Sequence, residues 1–235
     1  KLTLNSLSKE FFEGLRSLKQ LSFRKCNIKE IQSNALEYLQ NNLETLQIQE
    51  LKYPWDPLNL TGTTQMHKLS SIDFSDNPGY STIFNDKTFS GLYFCKQLYL
   101  MRSQLTKIGE GAFVPMKNLM TIHLEDNVLT DLNENVFNHD TINYVQIDGN
   151  KWICDCNLEW LQKLYENGIV KGKPVCQPWL IPFNETIFCE DYPSTSNPCV
   201  NCIETTTNPD ETITSDRTTT ITESTTDETT TGELT

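Results

Sequence analysis

The chain has 235 residues, a formal net charge of -12 and no run of lysine and arginine. That excludes a nucleic-acid reader or a basic membrane-surface protein as the natural reading, because both need a concentrated positive face. The charge is also unevenly spread: Ile203–Thr235 holds eight acids and one arginine, a net of -7, which leaves -5 for the first 202 residues.

Along the chain an apolar template L-x-x-L-x-L-x-x-N-x-L recurs, and such self-similarity outranks any local helix or strand assignment. A half-copy (Leu2, Asn5, Leu7) opens it, so residue 1 falls inside a repeat. Six full copies start at Leu18, Leu43, Leu69, Cys95, Leu119 and Ile142, separated by 25, 26, 26, 24 and 23 residues. In each copy the L-x-L residues alternate, so one set points into a core and the intervening set points outward. A return leg carries a second apolar column of Phe12, Leu36, Phe89, Phe113 and Phe137. No 3.5- or 3.6-residue period persists long enough for a helical bundle. Upstream coils and an N-terminal cysteine cap are expected, because a first coil starting at residue 1 would leave an apolar edge bare.

The copies resemble leucine-rich repeats, from residue 2 to about 199. The resemblance implies an α/β repeat fold, a curved solenoid with a parallel concave β-sheet. The family's asparagine column is half kept: Asn77, Asn127 and Asn150 match, while Cys26, Leu51 and Ser103 replace it. The second coil is expected to be irregular after Leu51, since Tyr53-Pro54-Trp55-Asp56-Pro57 carries two prolines. Cys26 and Cys95 sit on inward positions three coils apart. At about 4.8 Å per coil they are too distant to bond, and buried free thiols are expected.

Asn150-Lys151-Trp152-Ile153-Cys154-Asp155-Cys156, followed by Trp160-Leu161, resembles the cysteine-rich C-terminal capping module of extracellular leucine-rich repeats, with Lys151 in place of the usual proline. Asn157 is expected to cap a helix that stops at Gly168, with Leu158, Leu161, Leu164 and Tyr165 lying over the last coil. Six cysteines within 49 residues (Cys154, Cys156, Cys176, Cys189, Cys199, Cys202) point to a disulfide framework and an oxidising, extracellular compartment. The family's pairing implies Cys154 with Cys176. The partner of Cys156 stays open among Cys189, Cys199 and Cys202. Asn59 and Asn184 are N-glycosylation sequons, which agrees with secretion. A metal or redox reading of Cys199-Val200-Asn201-Cys202 lacks a second ligand pair and a β-α-β context. The domain boundaries follow: repeats over 1–149, a cap over 150–202, and an acidic stalk over 203–235. The stalk's fifteen threonines and near-absence of apolar residues predict disorder and O-glycosylation.

No catalytic, cofactor or metal motif occurs in the sequence, and an enzyme is not expected. The stacked sheet instead turns single positions into columns. The central one is Ser22, Gln47, Asp73, Tyr99, His123 and Gln146. The flanking ones are Gln20, Thr45, Ser71, Gln97, Thr121, Tyr144 and Arg24, Gln49, Ser75, Met101, Glu125, Asp148. Tyr99, Met101, His123, Tyr144 and Glu125 gather on coils four to six, the composition of an interface hot spot. The implied function is recognition of a protein ligand or receptor, in adhesion, signalling or innate immunity, by a secreted or cell-surface ectodomain. The alternative is a structural or accessory component of a secreted or matrix complex. No apolar run spans a bilayer, so any membrane anchor is expected beyond Thr235, and homo-oligomerisation is left open.

Overall fold

Each coil is a short strand, a left-handed corner and a return leg, and the corner explains how the strands stay in register. In a computed structural model the described residues are 2–80, 82–178 and 180–185. They belong to one unit, Lys1–Cys199; the second unit, Val200–Thr235, lies outside them, as does the expected disordered stalk. The strands are β1 (Thr3–Leu4), β2 (Gln20–Arg24), β3 (Asn27–Ile28), β4 (Thr45–Gln49), β5 (Ser71–Asp73), β6 (Gln97–Tyr99), β7 (Thr121–His123) and β8 (Tyr144–Gln146). Three short strands follow, β9 (Val170–Lys171), β10 (Val175–Cys176) and β11 (Ile181–Pro182). Strands β2, β4, β5, β6, β7, β8 and β9 form one parallel sheet in that order. The opening half-copy contributes β1, which pairs with β3 beside the first coil.

The alternation places Leu46, Ile72, Leu98, Ile122 and Val145 inside, each at most 1% exposed. Phe12, Leu36, Phe89, Phe113 and Phe137 of the return legs are buried against them, and Phe89 stacks on Phe113 at 5.5 Å. At the strand exits Lys25, Glu50, Asp76, Arg102, Asp126 and Gly149 all have positive φ, from 51° to 69°. Five of these are not glycine, and a left-handed conformation costs an L-residue about 1–2 kcal/mol. The coil stack holds them there: the amides of Asp76, Arg102 and Asp126 donate to the next coil's Met101, Glu125 and Asp148 carbonyls at 2.8, 3.1 and 2.8 Å.

Inside the corner, the asparagine column knits coils together. Asn127 Nδ2 donates to Leu100 and Leu124 carbonyls at 2.9 and 2.8 Å, while its Oδ1 accepts from Ser103 and Leu105 amides at 2.9 and 3.1 Å. Asn77 and Asn150 repeat the arrangement. Where Ser103 replaces asparagine, its hydroxyl still accepts from the Asn77 amide, at 3.3 Å. Leu51 offers no such group; its amide donates to Asn77 Oδ1 at 3.0 Å, the same bond that the Ser103 amide makes to Asn127 Oδ1. The second coil is regular up to Gln49, and after Leu51 it keeps one bridge to the next coil. Strand β4 pairs with β2 over five residues. Trp55, between the two prolines, bridges to Tyr80 and donates its amide to Gly79 at 2.9 Å. Each proline removes one donor, yet Trp55 between them keeps its own, and its ring packs edge-on to Phe74 at 5.0 Å. The coil then turns through α1 (Leu58–Thr61).

The last coil is closed by Trp152, fully buried with its indole N–H on the Ile147 carbonyl at 3.1 Å. Helix α2 (Glu159–Glu166) buries Leu161 and leans Leu164 and Tyr165 on the core. Asp155, not Asn157, caps the turn that leads into it: Asp155 Oδ1 accepts the Asn157 amide at 2.9 Å. The carboxylate two residues earlier reaches that amide, whereas the Asn157 side chain itself donates to Asp155. The chain leaves the helix at Gly168, whose φ is 69°. It then adds β9 to the sheet edge (Val145 opposite Val170), a strand the repeat pattern does not announce. A disulfide joins Cys154 to Cys176, and Cys156 is disulfide-bonded as well. Cys189, Cys199 and Cys202 lie outside the described residues. Among the described residues no helix is long and apolar enough to cross a membrane.

Candidate binding surface on the sheet

Parallel pairing aligns Asp73, Tyr99, His123 and Gln146 as direct neighbours across β5 to β8. The result is an aromatic ladder. The Tyr99 and His123 rings stack at 4.6 Å with 17° between planes, and Tyr144 lies 5.3 Å from His123 on the other side. Tyr144 belongs to the adjacent column, and its ring leans across one residue to join the stack.

Polar bonds fix these side chains. His123 Nδ1 lies 2.8 Å from Glu125 Oε1, which stands two residues on, in the corner just past the end of β7. Both side chains are mostly covered, 18% and 17% exposed. Glu125 Oε2 is buried with no hydrogen-bond partner among the described residues. The Tyr144 hydroxyl donates to Gln146 Oε1 at 2.9 Å, and Gln146 Nε2 donates to Asp148. Gln49 Nε2 donates to Asp73 Oδ2 at 2.6 Å. At the corner Arg102 grips Asp76 with two bonds, at 2.7 and 3.1 Å. That carboxylate holds the guanidinium above its ordinary pKa.

Tyr99, His123, Tyr144 and Glu125 are thus brought together, and Met101 sits half-buried in the corner after β6. One expected surface position is not on the surface. Ser75 is fully buried, its Oγ accepting the Met101 amide at 3.2 Å, because β5 ends at Asp73 and the chain has already begun its corner. The columns place His123 and Glu125 in the same coil but do not announce the contact between them, because Glu125 lies past the end of β7. Asn59 is half-buried on α1 and Asn184 is exposed at the end of the cap. Cys26 and Cys95 are buried and free, and burial pushes the Cys95 thiol up to about 12.

Comparison with known proteins agrees with this architecture. Residues 96–151 match the family described as Leucine rich repeat, and residues 1–53 match the BspA type Leucine rich repeat region. The chain is 30% identical over 83 residues to human chondroadherin, covering 35% of this chain and 23% of that protein. To the high affinity nerve growth factor receptor of Gallus gallus it is 32% identical over 117 residues, 48% of this chain and 15% of the receptor. The chain therefore spans less than a quarter of either relative. The crystal structure of human 5T4, a trophoblast glycoprotein, superposes with a TM-score of 0.51 at 19% identity, covering 78% of this chain and 81% of that one. Repeat matches at both ends of the sheet, the parallel register and the superposition on 5T4 agree on one fold, a leucine-rich-repeat solenoid.

Proposed function

We propose that the chain is an extracellular recognition module that binds a protein ligand on the solvent face of its sheet, at coils four to six. One observation carries the reading: Tyr99, His123 and Tyr144 form a continuous stack on three adjacent strands, held from below by Glu125. A stack fixed in advance loses little side-chain freedom on binding, which is why aromatic anchors dominate interface energetics. The leucine-rich-repeat relatives support a protein-interaction role, and the cap's disulfides with the exposed Asn184 support an extracellular setting. The His123–Glu125 pair serves on this reading as a rigid contact element rather than as a catalytic dyad.

The test is a screen of displayed extracellular proteins with the full chain, followed by affinity measurement on the variants. Tyr99→Ala and His123→Ala should each weaken the captured partner by about 2 kcal/mol. Asn138→Ala, on the return side, should leave it unchanged. A partner that binds both ladder variants as tightly as the parent chain removes this site from the reading.

A further inference from the structure

A second surface lies at the opposite, N-terminal ends of the strands. Three columns run along it, at the positions two before, one before and one after the first leucine of each repeat. They read Arg16, Asn41, His67, Tyr93, Lys117, Asp140; then Ser17, Asn42, Lys68, Phe94, Asn118, Thr141; then Lys19, Glu44, Ser70, Lys96, Met120, Asn143. Only coils four and five place large apolar groups there. Tyr93, Phe94 and Met120 are 43%, 40% and 41% exposed. The same positions in other coils are filled by polar residues, so packing of the solenoid does not require these three to be apolar.

They form one patch. Phe94 meets Tyr93 at 4.9 Å and His67 of the preceding coil at 5.9 Å. Met120 donates its amide to the Lys96 carbonyl at 2.9 Å, which puts it beside that lysine on the next coil. The backbone beneath is pinned, since Asn118 donates both its amide and its Nδ2 to the Tyr93 carbonyl, at 3.2 and 2.9 Å. Around the aromatic groups stand Lys68, Lys96 and Lys117, all exposed. None of the three has an ion-pair partner among the described residues, in contrast to Lys19, which pairs with Glu44 at 3.2 Å.

We propose that this flank is a second docking surface, independent of the Tyr99–His123 ladder, for an acidic segment of a partner protein that also carries apolar side chains. Exposed aromatic anchors ringed by uncompensated lysines match such a segment in both charge and apolarity. An anionic lipid surface is the weaker fit, because lipid recognition of that kind draws on clusters of about four to eight basic residues.

Random peptides displayed on phage, panned on the immobilised full chain and then synthesised, give the probe. The expected result is enrichment of acidic sequences with apolar residues, whose affinity drops about tenfold in Phe94→Asn and in Lys96→Glu, as for a single interface anchor. Phe94→Asn installs the residue found at the equivalent Asn42 and Asn118, so the coil should fold, and an unchanged melting midpoint verifies it. Tyr99→Ala should not alter peptide binding, which separates this site from the ladder. The proposal is overturned if no peptides enrich, if those enriched lack acidic residues, or if Phe94→Asn leaves their affinity intact. It is equally overturned if equimolar phosphatidylcholine and phosphatidylserine vesicles bind through Phe94 and Lys96 while peptides do not.

Discussion

At the scale of the residue, the corner asparagines do more for the fold than their number suggests. Asn127 is 4% exposed and satisfies four backbone groups belonging to two coils. Removing its amide takes the side-chain partner from the buried Ser103 and Leu105 amides and the Leu100 carbonyl, whereas the Leu124 carbonyl keeps a bond from Asn150 Nδ2. Asn127→Ala should therefore destabilise the chain by about 3 kcal/mol, read from urea unfolding followed by Trp fluorescence. Asn127→Ser should recover part of that loss, since Ser103 shows that a hydroxyl can serve one of these bonds. Cys95 illustrates a different residue-level effect. Burial lifts its thiol from 9.0 to about 12, so the unfolded chain gives up that proton first. Its contribution to stability is accordingly full below about pH 9 and shrinks as the pH climbs towards 12. At pH 8 a thiol reagent should leave Cys95 of the folded chain unmodified and label it once denaturant is added. Rapid labelling of the folded chain would contradict the buried placement.

At the scale of the element, the cap is where a stacked fold is most exposed to failure, because each coil gains only from its neighbours. Here the cap covers the last coil with α2 and Trp152 and extends the sheet by β9. The Cys154–Cys176 bridge spans a sequence separation of 22 around that helix and strand. Cys154→Ser with Cys176→Ser should cost about 3 kcal/mol. The loss should be local first: amide exchange at Val145, Val170 and Lys171 should quicken before exchange at β4 and β5. Uniform acceleration along the whole sheet would show instead that the coils unfold as one unit. The corners belong to this scale too. Five non-glycine residues keep positive φ at the same place in consecutive coils, and no propensity argument would put Lys25, Glu50 or Arg102 there. The amides of Lys25, Asp76, Arg102 and Asp126 donate across to the next coil, so the stack selects the conformation and the residue only tolerates it.

At the scale of the whole molecule, the proposed binding surface is distributed across the coils rather than gathered in a pocket. The ladder of Tyr99, His123 and Tyr144 uses one side chain from each of three strands, and no pair of these is closer than 21 residues in sequence. The columns could be written down in advance because the repeat length fixes the register. Their use as a surface could be written down only as far as the strands extend. Ser75 shows the limit: it continues a column on paper, yet β5 has ended two residues before it and its hydroxyl faces the corner. The aromatic and basic flank of Tyr93, Phe94 and Met120 lies in columns that the L-x-L alternation does not address, so it emerges only once the fold shows those side chains exposed.

The sequence by itself determined the repeat, its register, the inward leucines and return-leg phenylalanines, and the asparagine column. These follow from periodicity, and periodicity is a property of spacing alone. Tertiary structure alone decided which carboxylate meets His123, that Tyr144 leans onto the ring beside it, that Asp155 rather than Asn157 caps the turn before α2, and that the cap donates β9. Each of these is a contact between side chains or backbone groups whose reach depends on where a strand stops and a corner begins. Strand ends are set by the balance of hydrogen bonds between neighbouring coils, which no single repeat contains.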